Sequence, residues 1–152
     1  MTSSDAIDDR LITTFGRLVE AYSRLERRLG GALQAEAGLP HVWFEVLLRL
    51  ARSENGQMTM GVLGEQIALT SGGVTRLIDR MAAAGYVERR LLPADRRVVY
   101  AVVTPSGREV VNRASVAHAR NLRDVFAGFG EQDLDSLDRL LDRLRENVPP
   151  AS

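Results

Sequence analysis

A mainly α-helical chain with one small β-wing is the fold class that the sequence predicts, in the order helix, helix, short helix, helix, hairpin, helix, helix. Three observations predict it. Apolar residues recur at three- and four-residue spacings at both ends of the chain. Two compact helical segments in the middle are separated by only a few residues. Two strand-like runs follow, "YVERRL" and "VVYAVV", with the polar stretch "LPADRR" between them.

Each element has its own signal. Ile7, Leu11, Phe15, Leu18, Tyr22, Leu25 and Leu29 form a stripe near heptad period, which runs on to Leu33 and stops around Gly38, with Pro40 beyond. A helix of roughly 30 residues is about 45 Å long at 1.5 Å per residue. That outruns a domain of this size, so part of the stripe is expected to pack on another chain. A second helix opens at Pro40 and shows Val42, Val46, Leu47 and Leu50 on one face; "SENGQM" then reads as a loop. Thr59 caps a short helix carrying Met60, Val62, Leu63 and Ile67. A turn at Ala68-Leu69 leads to Thr70, a second cap. The helix after it carries Val74, Leu77, Ile78 and Met81 and ends at Gly85. Strands are expected at 86–91 and 98–103, with Asp95, Arg96 and Arg97 out in the connecting loop. Thr104-Pro105 starts a helix that runs to about Phe126. "GFGEQD" breaks it, and the last helix shows Leu134, Leu137, Leu140, Leu141, Leu144 and Val148.

The 152 residues suit one domain with its own core. The expected division is a central lobe at 39–104 between outer helices at 1–38 and 105–148. The absence of cysteine excludes disulfides, thiolate metal sites and cysteine redox chemistry. Two histidines, far apart in sequence, are too few to build a metal site alone. No G-x-S-x-G, phosphate loop or dinucleotide fingerprint is present, and Glu45 and Glu65 are isolated carboxylates. The reading is therefore not an enzyme and without cofactor. No apolar run is long enough for a membrane span, and the acidic start "MTSSDAIDDR" is unlike a signal peptide, so a cytoplasmic protein is expected.

The formal net charge is zero, yet its distribution is uneven. Between Ser71 and Arg108 seven arginines face three acids, while from Asn121 onward acids predominate. A basic middle points to a polyanion at that place. Two short helices, a tight turn and a two-stranded wing make a winged helix–turn–helix, whose second helix enters a DNA major groove. The start of that helix offers Ser71, Gly72 and Gly73, small enough for close approach, with backbone N–H groups for a phosphate. Thr75 and Arg76 lie away from the apolar face and reach base edges, and Arg80, one turn on, meets backbone. A wing tip bearing arginine fits the minor groove, about 6 Å wide. Arg97 is placed there, Asp95 orients it and Arg96 meets phosphate.

The segments "LGEQIALTSGGVTRLIDRMAAAGYVERR" and "DRRVVYAVVTPSGR" resemble the multiple-antibiotic-resistance regulator (MarR) family, and the likeness runs over nearly the whole chain. It implies a homodimeric transcriptional regulator, most often a repressor, on a pseudo-palindromic double-stranded operator. It also implies that the first helix and the last two interlock between subunits. It carries reading roles onto Ser71, Thr75 and Arg76, and wing roles onto Asp95 and Arg97. Gly64, Ala68 and the pair Gly72-Gly73 depart from the family's usual residues. Members often bind small aromatic or phenolic acids between the dimer helices and the DNA-binding lobe. Arg17, Tyr22, His41, Trp43 and Phe44 are the residues here with suitable chemistry. Core packing is the competing reading of Trp43 and Phe44. The alternative function is a winged-helix protein-interaction module that does not read DNA sequence.

Overall fold

The computed structural model describes residues 6–67 and 71–149. The expected turn at Ala68-Leu69 and the Thr70 cap lie outside the described residues. Among these residues the main elements follow one another as α1 (Arg10–Ala37), α2 (His41–Arg52), β1 (Gln57–Thr59), α3 (Met60–Gln66), α4 (Ser71–Ala83), β2 (Val87–Leu92), β3 (Asp95–Val103), α5 (Pro105–Val125) and α6 (Glu131–Glu146).

Local chemistry sets most of these ends. Asp9 caps α1, its carboxylate accepting from the Leu11 N–H at 2.7 Å. Gly38 closes that helix at φ +65°, a left-handed conformation that suits glycine. Thr59 and Thr104 cap α3 and α5, accepting from Val62 N–H at 3.3 Å and Gly107 N–H at 3.0 Å. Gly85, at φ +84°, turns the chain from α4 into β2.

The core lies between α2, α3, α4, the sheet and the first half of α5, with the end of α1 laid over it. Leu33, Leu39, Leu47, Leu50, Leu63, Ile78, Met81 and Val111 are almost wholly shielded. Among the described residues no polar or charged residue is buried. On α2 the inward face is Phe44, Val46, Leu47 and Leu50, whereas Val42, expected inside, is 37% exposed. The upstream part of the α1 stripe is uncovered: Leu11 is 78% exposed and Phe15 66%. α6 buries no residue, and its leucines stand in solvent. Both ends therefore present long apolar faces that this chain does not cover, as the stripe length implies.

Two expectations are corrected. "SENGQM" is not all loop. After a turn of 3-10 helix at Glu54–Gly56, Gln57–Thr59 pairs antiparallel with β3, opposite Val102, Ala101 and Tyr100. The sheet thus has three strands in the order β1-β3-β2. Likewise Asp95, Arg96 and Arg97 are not in a free loop but open β3, and the tip is Pro93-Ala94. An irregularity at Leu91/Leu92 brings Leu92 opposite Asp95, which extends the ladder beyond the apolar run.

The joint between the lobe and α5 is tight. The Thr104 hydroxyl donates to the Gly85 carbonyl at 2.6 Å, and the Thr104 N–H donates to the Tyr86 carbonyl at 3.0 Å. A Cβ on Gly107 would lie 2.1 Å from that same Tyr86 oxygen. Farther along α5, Arg120 and Asn121 both donate to Glu36 on α1, the latter at 3.0 Å. The Asn121 bond first, with Arg120 beside it, holds the Glu36 carboxyl below its ordinary range.

His118, also on α5, packs against the Phe44 ring at 4.9 Å, and its Nδ1 is buried without a hydrogen-bond partner. Burial, helped by nearby His41 and opposed by Glu45, lowers its pKa below the ordinary 6.5.

Two outcomes are expected. Gly107→Ala destabilises the fold by about 3 kcal/mol, the upper end for overpacked sites, measured by urea unfolding. For His118, the unfolded chain takes up a proton near 6.5 while the folded chain resists it. Stability is therefore full above that value and falls as pH drops below it. His118→Met flattens that fall in urea midpoints recorded across the window, leaving only what other groups contribute.

Candidate nucleic-acid interface

Helix α4 is amphipathic in a simple way. Val74, Leu77, Ile78 and Met81 face the core, which leaves Gly72, Thr75, Arg76, Asp79 and Arg80 outward. Ser71 opens the helix. The Arg76 guanidinium lies over Gly72, where an added Cβ would sit 3.4 Å from Nη1. Arg76 and Arg80 sit one turn apart on the same side.

At the wing, Asp95 and Arg97 form a fork. Asp95 Oδ1 accepts from the Arg97 backbone N–H at 3.0 Å and from Nε at 3.1 Å, while Oδ2 accepts from Nη2 at 3.3 Å. These bonds, the side-chain ones first, hold the Asp95 carboxyl below its ordinary value against a small effect of burial. The Arg97 side chain is nonetheless 91% exposed. The fork leaves Nη1 and one hydrogen of Nη2 for a further acceptor. The orientation read from the sequence, Asp95 holding Arg97, is the geometry found.

The remaining arginines of the basic stretch divide into two groups. Arg89 meets Asp79 at 2.9 Å and donates to the Thr75 carbonyl at 3.3 Å. Arg90 lies 3.8 Å from Glu88, and Arg108 turns inward toward the Ala51 carbonyl at 3.5 Å. Arg76, Arg80 and Arg96 are exposed and have no hydrogen-bond or ion-pair partner among the described residues. The unpaired cations are thus those on the outer face of α4 and at the wing. Beside them lies an open cleft of about 420 Å³ whose lining includes Thr59, Met60, Thr75, Arg89, Arg97 and Val98.

The five residues with aromatic-acid chemistry are spread out within one chain. Arg17 and Tyr22 project from the uncovered part of α1. His41 lies 3.9 Å from Glu26 and 3.6 Å from Glu45. Trp43 packs edge-on against Tyr86 at 6.2 Å, and Phe44, 3% exposed, belongs to the core. Arg89 is the residue that sequence reasoning left unassigned. Its strand position, on the same side as buried Val87, was the available signal.

Comparison with known proteins extends the same pattern. A family model described as "MarR family" matches residues 37–98, from the end of α1 to the wing. The chain is 34% identical over 95 residues to the uncharacterized HTH-type transcriptional regulator YsmB of Bacillus subtilis, covering 62% of this chain and 65% of that protein. It is 37% identical over 83 residues to YcgE, another uncharacterized HTH-type transcriptional regulator of that organism, covering 55% and 47%. The chain therefore spans about half to two thirds of the length of these curated relatives. Among solved structures, Sco3205 of Streptomyces coelicolor, a MarR family transcriptional regulator in complex with DNA, superposes with a TM-score of 0.83 at 27% identity, over 99% of this chain and 91% of that one. AbsC, a MarR family regulator of the same organism, gives 0.81 at 26% identity, over 97% and 96%. The family-model match lies in the lobe that carries α4 and the wing, and the structural likeness continues through the outer helices. Residues 37–98 thus match the MarR family model, and the whole chain is similar in fold to MarR family transcriptional regulators.

Proposed function

We propose that the chain is a homodimeric regulator of transcription that binds a specific DNA duplex, with α4 in the major groove and the wing in the neighbouring minor groove, and that it acts in the cytoplasm as a repressor. One observation carries the DNA reading: the exposed guanidiniums of Arg76 and Arg80 on α4, unpaired among the described residues, are joined in the same lobe by a wing arginine that is almost wholly exposed yet doubly bonded to Asp95. An exposed ion pair contributes less than about 1 kcal/mol to folding. Its effect is to hold a donor group in place for an acceptor outside the chain. In this reading Ser71, Gly72 and Thr75 approach the bases, Arg76 reads a base edge or a phosphate, and Arg80 and Arg96 meet phosphates. The likeness to a family member solved with DNA supports the same assignment.

The uncovered stripes of α1 and α6 support the dimer. Two copies joined through them present two α4 helices to successive major grooves, roughly 34 Å apart. A small aromatic acid as the releasing ligand would draw on residues from both chains, since Tyr22 lies on the stripe that the second copy covers and Arg17 stands to the side of it. His41 and Trp43 then form its inner wall, backed by Phe44.

Selection of duplexes from a random pool tests the main reading: enrichment of a two-fold-related sequence is expected, and no preference at moderate ionic strength removes it. Arg97→Ala weakens binding to the selected duplex by about 1–3 kcal/mol with the fold intact, and Asp95→Asn weakens it by less, because the charge remains but its orientation is lost. Phe15→Glu and Leu141→Glu each shift the protein from dimer to monomer in sedimentation; a monomeric parent protein refutes the dimer. Titration of aromatic carboxylates followed by Trp43 fluorescence checks the ligand, with a saturable change expected and a flat response across a diverse set against it.

A further inference from the structure

Arg89 is oddly employed for a cation in a basic face. It sits on β2, between Glu88 and Arg90, and strand alternation turns it to the side of buried Val87, toward α4, rather than outward with its neighbours. There it meets two acceptors one helical turn apart on α4: the Thr75 carbonyl at 3.3 Å and the Asp79 carboxylate at 2.9 Å. Its charge is matched within the chain. It also lines the open cleft between Thr75 of α4 and Arg97, Val98 and Val99 of β3, outside the packed core. The Gly85 turn joins the two elements at one end. Core packing of Leu77, Ile78 and Val87 holds α4 and the sheet together near that turn, and Arg89 adds a strut farther along β2.

We propose that Arg89 is a positioning residue that fixes the angle between α4 and the wing, so that Arg76 and Arg97 meet one duplex together. The proposal rests on the duplex reading above for its consequence, but the angle itself is a property of the free protein. Both side chains of the pair are partly exposed, 40% for Arg89 and 57% for Asp79, so its removal leaves folding nearly unchanged. Its effect is on the match between two contacts to the same ligand, where a misplaced second contact loses the advantage of being linked to the first.

Asp79 makes the test sharp. If Arg89 were a phosphate contact, removing the negative charge of Asp79 would tighten DNA binding. If Arg89 is a strut, removing Asp79 loosens it. Arg89→Met and Asp79→Asn are therefore compared on random-sequence duplexes selected by the wild-type protein. Each variant is expected to weaken binding by about tenfold, within the range of coupled neighbours, and the double variant to be no weaker than the worse single one. The slope of log Kd against log salt stays unchanged. Tighter binding by Asp79→Asn, or a slope reduced by about 0.9 in Arg89→Met, as for a lost phosphate contact, overturns the proposal. The same holds if neither variant changes affinity.

A second measurement needs no DNA. The chain has no cysteine, so spin labels at Arg80→Cys and Arg96→Cys report the distance from α4 to the wing without background. Labelled chains are diluted with unlabelled ones. Arg89→Met is expected to broaden that distance distribution while circular dichroism stays as in the parent. An unchanged distribution overturns the strut even if the wild-type protein selects no duplex, an outcome that would separately remove the duplex reading.

Discussion

Gly107 is the position on which the rest of the architecture depends. The first turn of α5 passes so close to the Tyr86 carbonyl that no side chain fits between them. Thr104, three residues earlier, caps α5 and reaches the Gly85 carbonyl in the turn leaving α4. One hydroxyl therefore joins the end of α4, the start of β2 and the start of α5. Through this joint the lobe carrying α4 and the wing is fixed to the long helix that runs away from it. A shift there would move every outward-facing arginine of α4 relative to α5 and α6, whatever the quality of the core.

The core and the site are built from separate chemistry. Shielded positions among the described residues are apolar, and the charged groups lie on the surface. Packed side chains orient α4 as a whole, but they do not aim Arg89 or Arg97. Those two guanidiniums are aimed by exposed acceptors, Asp79 and the Thr75 carbonyl for the first and Asp95 for the second. Such a surface can change its charge pattern at little cost to folding, because each exposed pair contributes so little to stability. The uncovered stripes at the two ends follow another logic. They are large, contiguous and apolar, which a lone soluble chain rarely tolerates.

Features set by neighbours in sequence were legible. The α1 stripe, the caps at Thr59 and Thr104, the stop at Gly38 and the turn at Gly85 each depend on a few consecutive residues, and each is found where the pattern puts it. The Asp95–Arg97 fork was legible for the same reason, with two residues of separation. Strand β1 was not. Three residues with no alternation become a strand only because Val102, Ala101 and Tyr100 supply the ladder. The start of β3 was hidden by the irregular pairing at Leu92, which lets polar residues continue a strand that apolar residues define. The burial of Phe44 in place of Val42 depended on which side of α2 meets α5, where His118 lies against that ring. Arg89 was seen as charge and missed as a connection, since Asp79 and Thr75 reach it only after the hairpin folds back.

The acid in the Asp95–Arg97 fork has one more effect. Neutralising an arginine at the point of first encounter weakens the long-range pull on any polyanion, while the remaining N–H groups keep their direction. A genome presents about 10⁶–10⁹ decoy sites to a protein searching for one address. In the proposed reading, a wing that attracts weakly at a distance and bonds directionally at contact would spend less time on those decoys than one tipped with bare charge.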